Sequence, residues 1–125
     1  MVIDTDILIW CLRGNAKAIA ALDGLKMRLI SQITRMELIL GCRDKNEIIL
    51  LKRFLADGGF RVIPLSQEIG NRADLYLEEK HLAHGIGLPD ALIAASASLL
   101  GQTLFTANAK HFRCISELQL KRFTP

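Results

Sequence analysis

The chain has 125 residues, half of them hydrophobic, which suits one domain, 1–125, with a single core. No apolar run approaches the roughly 20 residues of a membrane span and no signal peptide opens the chain, so we expect a cytoplasmic protein without a membrane anchor. Its three cysteines (Cys11, Cys42 and Cys114) are widely spaced, which favours reduced thiols in the core over a disulfide framework or a zinc site.

The net charge of +3 is concentrated near the end of the chain. Twelve basic residues balance twelve acidic residues up to Phe105, whereas four basic residues stand against one acidic residue from Thr106 onward. A basic end on a neutral body suits an anionic partner. A solvated tail of ordinary lysines and arginines explains the charge alone equally well.

The first half of the chain predicts alternating strands and helices. The apolar run 1–3 predicts a buried strand that ends at Asp4, and residues 7–10 begin a short helix that Gly14 stops. Ser31 is a good cap for a helix that runs to Gly41. The remaining elements predicted here are helices over 15–22 and 46–55 and strands over 27–30 and 61–63.

The second half predicts a long helix from Ser66 to about residue 83 and another over 91–100, where Pro89 suits the first turn. A strand is predicted over 103–105, with 118–123 as a candidate last strand. Apolar strands separated by helices indicate an α/β fold, with a central parallel sheet of four to five strands covered on both faces.

Ligands of open parallel sheets bind beyond the carboxyl ends of the strands. The polar residues predicted to lie at this edge are Asp4, Ser31, Glu37, Asp90, Thr106 and Asn108. Four separate segments of the chain therefore converge on one pole of the predicted sheet.

Three acids stand beside apolar runs, where a charge usually needs a partner: Asp4, Glu37 and Asp90. Asp90 also suits the dipole of a helix start, and Glu37 also suits a polar surface stripe. Carboxylates gathered together repel one another unless a cation is bound. All-oxygen ligation favours one or two Mg²⁺ or Mn²⁺ ions, and such ions can activate water to hydrolyse a phosphodiester.

Four segments resemble the successive motifs of PIN-domain ribonucleases, specifically VapC-like toxins: VIDTDILIW, SQITRMELILG, LPDALIAASA and TANAKHF. They occur in the family's order and spacing over residues 1 to about 112. The resemblance implies an α/β/α sandwich, Mg²⁺ or Mn²⁺ dependence, endonucleolytic attack on RNA and a homodimer. It also implies an antitoxin, encoded by a neighbouring reading frame, that blocks the acidic groove.

The resemblance makes Asp4, Glu37 and Asp90 the metal-binding carboxylates. Asn108 falls where family members have aspartate or asparagine, and it completes the predicted catalytic set. The residues with predicted supporting roles are Asp6, Ser31, Thr34 and Thr106. The candidates for RNA contact are Arg35, Lys110 and Arg113.

Two other functions fit parts of the sequence. The pair Asp4 and Asp6 resembles the D-x-D motif of haloacid dehalogenase-like phosphatases, in which the first aspartate attacks phosphorus. That interpretation lacks a basic partner and a downstream acidic pair. The other alternative is a non-catalytic RNA-binding or protein-binding module of the same fold, inactive because Asn108 is neutral.

Overall fold

The computed structural model describes all 125 residues, in five strands and seven helices. The strands are β1 (Val2–Ile3), β2 (Arg28–Ser31), β3 (Phe60–Ile63), β4 (Leu104–Thr106) and β5 (Leu120–Arg122). The helices are α1 (Thr5–Leu12), α2 (Ala16–Asp23), α3 (Gln32–Leu40), α4 (Lys45–Asp57), α5 (Gln67–His84), α6 (Leu88–Leu99) and α7 (Ala109–Phe112). None of these helices is both long enough and apolar enough to cross a membrane.

The five strands form one parallel sheet in the order β3-β2-β1-β4-β5. The chain builds outward from β1 to β3 on one side and then returns to add β4 and β5 on the other. The order reverses between β1 and β4, where Ile3 pairs with Phe105. Such a reversal opens a crevice at the carboxyl ends of the strands.

The hydrophobic core has two halves, one on each face of the sheet, because successive strand residues point to opposite sides. Val2 and Leu104 pack with residues of α5, α6 and α7. Ile3 and Phe105 pack with residues of α1, α2, α3 and α4. The predicted three-layer α/β/α arrangement is therefore confirmed, with five strands.

Local details differ from the sequence predictions. α1 begins at Thr5 rather than near Ile7, because the Asp4 carboxylate accepts the N–H of Thr5 and caps the helix. The four-residue α7 was not predicted at all. The three cysteines are free thiols, as predicted, and each is half-buried and packs against the edge of the core rather than within it.

Candidate active site

The candidate site lies at the carboxyl ends of β1 and β4, beside the reversal in strand order. Asp4 follows β1 directly, and Thr106 is the last residue of β4. Asp90 reaches the same region from the first turn of α6, which begins with Leu88 and Pro89 and has no side-chain cap of its own. Sheet pairing and helix placement thus bring together residues that are far apart in the sequence.

Asp4 is buried, and both of its carboxylate oxygens accept hydrogen bonds. Oδ1 accepts the backbone N–H of Thr5 at 2.8 Å, and Oδ2 accepts the Thr106 hydroxyl at 2.7 Å. The Thr106 hydroxyl in turn accepts the backbone N–H of Asn108 at 2.9 Å. Thr106 is fully buried and holds Asp4 in one orientation.

Asp6 lies on the other side of Thr106. Its Oδ2 accepts the N–H of Ala107 at 3.1 Å and is 3.5 Å from the Thr106 hydroxyl oxygen. Its Oδ1 is buried and has no hydrogen-bond partner. A buried carboxylate oxygen without a donor is costly.

The electrostatics identify three mutually repelling acids, which we call the acidic cluster: Asp4, Asp6 and Asp90. Burial, followed by repulsion from Asp6 and then Asp90, raises the pKa of Asp4 from 3.8 to about 7. Burial is also the main cause that raises the pKa of Asp6, and repulsion from Asp90 adds to it. The three acids therefore experience one another's charge in a poorly solvated place.

Asp90 itself is half-buried, and burial raises its pKa. His111 opposes that shift, because its Nδ1 lies 3.8 Å from Oδ2 of Asp90. His111 belongs to α7, so the helix missed by sequence reasoning brings a basic group to the edge of the site.

Glu37 is connected to the site through Thr5 rather than by direct contact with the aspartates. Thr5 donates its hydroxyl to Oε1 of Glu37 at 2.8 Å, and the hydroxyls of Thr5 and Thr34 are hydrogen-bonded at 2.9 Å. Thr5 was not singled out from the sequence, although it directly follows Asp4.

The other predicted residues are distributed around this centre. Ser31 caps α3 by accepting the N–H of Ile33, and its hydroxyl lies 3.4 Å from that of Ser96. The Asn108 side chain is exposed, and only its backbone N–H reaches the site, through Thr106. Arg35 lies on α3 and is half-buried.

As the side chains stand, no three acidic, histidine or cysteine residues are grouped so as to enclose a metal ion. The acidic cluster nevertheless offers the donor set that a hard divalent cation prefers, since it consists of carboxylate oxygens alone. The unpartnered Oδ1 of Asp6 and the raised pKa of Asp4 both indicate a place where positive charge would be stabilising.

Comparison with known families decides the assignment. The family model described as PIN domain matches residues 1–117. The chain belongs to the PIN domain family. Among relatives of this PIN domain, Ribonuclease VapC10 of Mycobacterium tuberculosis is 35% identical over 128 aligned residues, which cover 95% of this chain and 90% of the relative.

Solved structures resemble this PIN domain over almost its whole length. A toxin–antitoxin complex from Klebsiella pneumoniae contains a chain that is 32% identical, with a TM-score of 0.79 and coverage of 94% of this chain and 93% of that one. VapBC2 from Rickettsia felis, bound to a DNA fragment from its promoter, gives 27% identity, a TM-score of 0.83 and 98% coverage of both chains. The likeness confirms the fold inferred from the strand order.

Two surface features of the PIN domain flank the acidic cluster. An apolar groove of about 550 Å³ lies between α1, α3 and α4, with Glu37 in its wall. Exposed leucines of that groove include Leu12 and Leu50. On the opposite flank is a basic pocket of about 100 Å³, lined by Ala107, Asn108, Ala109, Lys110, Arg113 and Arg122.

Proposed function

We propose that this PIN domain, residues 1–125, is a divalent-metal-dependent endoribonuclease and the toxin of a toxin–antitoxin pair, acting in the cytoplasm. The observation that carries the proposal is the acidic cluster, in which Asp4 and Asp6 adjoin the same Thr106 hydroxyl and the charge of Asp90 raises the pKa of both. The ribonuclease name of a relative 35% identical to this chain supports RNA as the substrate.

We assign the cation to the acidic cluster, with one or two Mg²⁺ or Mn²⁺ ions held by Asp4, Asp6 and Asp90. Glu37 is the fourth carboxylate of the site, and Thr5 orients it. A bound divalent cation would supply the Lewis acidity that activates water and balances charge on the leaving oxygen. Asn108 contributes its backbone N–H rather than a negative charge.

The protein's own groups hold the carboxylates in place before any substrate arrives. Thr106 fixes Asp4, the N–H of Ala107 fixes Asp6, and Thr5 fixes Glu37. Partners of this kind, one step outward from the metal ligands, commonly decide ligand orientation and metal affinity. We assign this supporting role to Thr106 and Thr34, while Ser31 mainly caps α3.

Substrate binding requires positive charge near a site that is itself negative. Lys110 and Arg113 lie in the basic pocket next to Asn108, and we assign them to contacts with RNA phosphates. Arg35 on α3 is a further candidate for such a contact.

The proposed protein partner is an antitoxin. Two structural neighbours above 25% identity were solved as toxin–antitoxin or VapBC assemblies, which supports such a partner for this chain. The apolar groove beside Glu37 offers the antitoxin an apolar surface from which a segment would reach and block the acidic cluster. We also propose a homodimer, which light scattering on the purified chain would test.

The test is a cleavage assay on total RNA with Mg²⁺ or Mn²⁺, with excess EDTA in the parallel sample. We expect internal cleavage that EDTA abolishes and that added Mn²⁺ restores. Metal-independent cleavage would contradict the metal site. RNA binding without cleavage, together with cleavage by an Asn108→Asp variant, would instead support a non-catalytic module.

The same samples test the phosphatase alternative. A phosphatase of that class needs a basic partner and a downstream acidic pair, and the sequence lacks both. We therefore expect no phospho-aspartate at Asp4 after incubation with a phosphomonoester, as measured by mass spectrometry of the quenched protein.

A further inference from the structure

The basic pocket contains one residue that the sequence did not single out, Arg122 at the end of β5. It shares the pocket with Lys110 and Arg113, so three cations line a space of about 100 Å³. None of the three forms an ion pair with a carboxylate, and none of their side chains makes a hydrogen bond within the chain. The charge of the pocket is thus not neutralised by any direct ion pair.

The sheet fixes the position of Arg122 relative to the acidic cluster. Thr106 pairs with Arg122 across β4 and β5, and β4 pairs with β1 on its other side. Asp4, Thr106 and Arg122 therefore lie in a row across three adjacent strands. With neighbouring strands about 4.8 Å apart, the backbones of Asp4 and Arg122 are roughly 10 Å apart.

The loop between β4 and α7 joins the two features. Asn108 lines the basic pocket, and its backbone N–H is hydrogen-bonded to the Thr106 hydroxyl that holds Asp4. A ligand in the pocket is consequently held at a fixed distance from the acidic cluster by the rigid end of a strand.

The chemistry of the pocket favours a phosphate. Two guanidinium groups and one ammonium group gathered without a carboxylate repel one another, and an anion with several acceptor oxygens relieves that repulsion. The planar fork of an arginine matches the geometry of two phosphate oxygens. A polyanion that runs across the edge of the sheet would place one phosphate here and another beside the carboxylates.

We propose that the basic pocket binds a backbone phosphate of single-stranded RNA next to the phosphate that is cleaved, with Arg122 as the principal positioning residue. This inference rests on the proposed nuclease function. The pocket determines the side of the acidic cluster on which the RNA chain continues beyond the cleaved phosphate, namely the side of β5 and α7.

Lys121 offers a matched control, because it is adjacent, exposed and equally charged but lies on the other face of the sheet. Its ammonium group is 5.3 Å from the centre of the Phe105 ring, which belongs to the opposite half of the core. Lys121→Gln and Arg122→Gln therefore remove the same charge from the same strand, and only the second alters the pocket.

The first experiment measures binding of a fluorescent single-stranded RNA by anisotropy in EDTA, with both substitutions in an Asp4→Asn background. We expect Arg122→Gln to weaken binding about tenfold and to reduce the salt dependence by about 0.7 in the slope of log K against log salt, the value for one phosphate contact. Lys121→Gln should change affinity less than twofold. Equal effects of the two substitutions, or no RNA binding in any sample, would overturn the proposal.

The second experiment measures cleavage with the wild-type carboxylates and Mn²⁺. We expect Arg122→Gln to raise KM about tenfold and to change kcat less than twofold, while Arg122→Lys recovers part of the affinity. Cleavage with equal KM for the Lys121 and Arg122 variants would refute the pocket and leave the nuclease proposal standing. A binding difference without cleavage in any sample would refute the nuclease and leave the pocket standing.

Discussion

Asp4 lies where its negative charge is unfavourable for the stability of the folded chain. It is buried at the end of β1, and the charges of Asp6 and Asp90 act on it, so its charged form is disfavoured. Its position directly after an apolar strand was visible in the sequence. The strength of the charge repulsion was not visible, because it depends on how Asp6 and Asp90 approach Asp4 in the folded chain.

The raised pKa of Asp4 gives a pH prediction. Between pH 3.8 and about 7 the folded chain holds a proton that the unfolded chain releases, so stability falls as pH rises through that window. In EDTA, Asp4→Asn should raise the free energy of unfolding at pH 8 by about 1–3 kcal/mol. At pH 4 the two proteins should be similar, as measured by urea unfolding.

Two further results would bear on the same residue. Added Mg²⁺ should stabilise the wild-type protein at pH 8 and have little effect on Asp4→Asn, because a ligand stabilises only the state that binds it. An Asp4→Asn protein that is less stable than wild type at pH 8 would show that its buried charge is already compensated within the chain.

Thr106 is the residue on which the site's hydrogen bonds converge. Thr106→Val removes the donor to Asp4 and the acceptor for the Asn108 N–H. We expect cleavage rates to fall about 10- to 100-fold and stability to fall by about 1–3 kcal/mol. Thr103→Val is the matched control, since the Thr103 hydroxyl bonds only to exposed Gln119, and equal rates for the two variants would contradict the assignment.

Among the helices and strands, short-range sequence signals indicated the features that depend on short-range interactions, such as helix caps. Asn15, Ser31 and Ser66 cap α2, α3 and α5 as their residue types indicate. α7 escaped prediction because four residues carry no helical periodicity. The exact ends of β4 and β5 also escaped, since pairing between distant strands sets them.

The apolar groove between α1, α3 and α4 gives a prediction about the partner. Leu50 is 58% exposed in this groove, and Leu82 on α5 is 97% exposed outside it. Leu50→Asp should weaken binding of the proposed antitoxin at least tenfold and leave RNA cleavage unchanged, because altering an exposed side chain costs roughly 0.5 kcal/mol or less. Titration calorimetry measures the affinity, and equal binding by Leu50→Asp and Leu82→Asp would exclude the groove.

For the whole molecule, the topology assembles the site. Asp4 and Thr106 are 102 positions apart in the sequence, yet they are hydrogen-bonded because β1 and β4 are neighbours. Motif order and apolar patterning predicted the fold and the convergence of Asp4, Glu37 and Asp90 on one edge. They could not show that the charge of Asp6 raises the pKa of Asp4, nor that Arg122 lines the basic pocket, because both depend on packing and strand order.

The central claim is that the acidic cluster is the catalytic centre of a metal-dependent ribonuclease. Its most direct test is the rate of cleavage of one end-labelled RNA in Mn²⁺ by wild type, Asp4→Asn and Asp90→Asn, with the exposed Glu68→Gln as control. We predict rates at least about 100-fold lower for both aspartate variants and an unchanged rate for Glu68→Gln. Undiminished cleavage by the Asp90→Asn protein would contradict the claim.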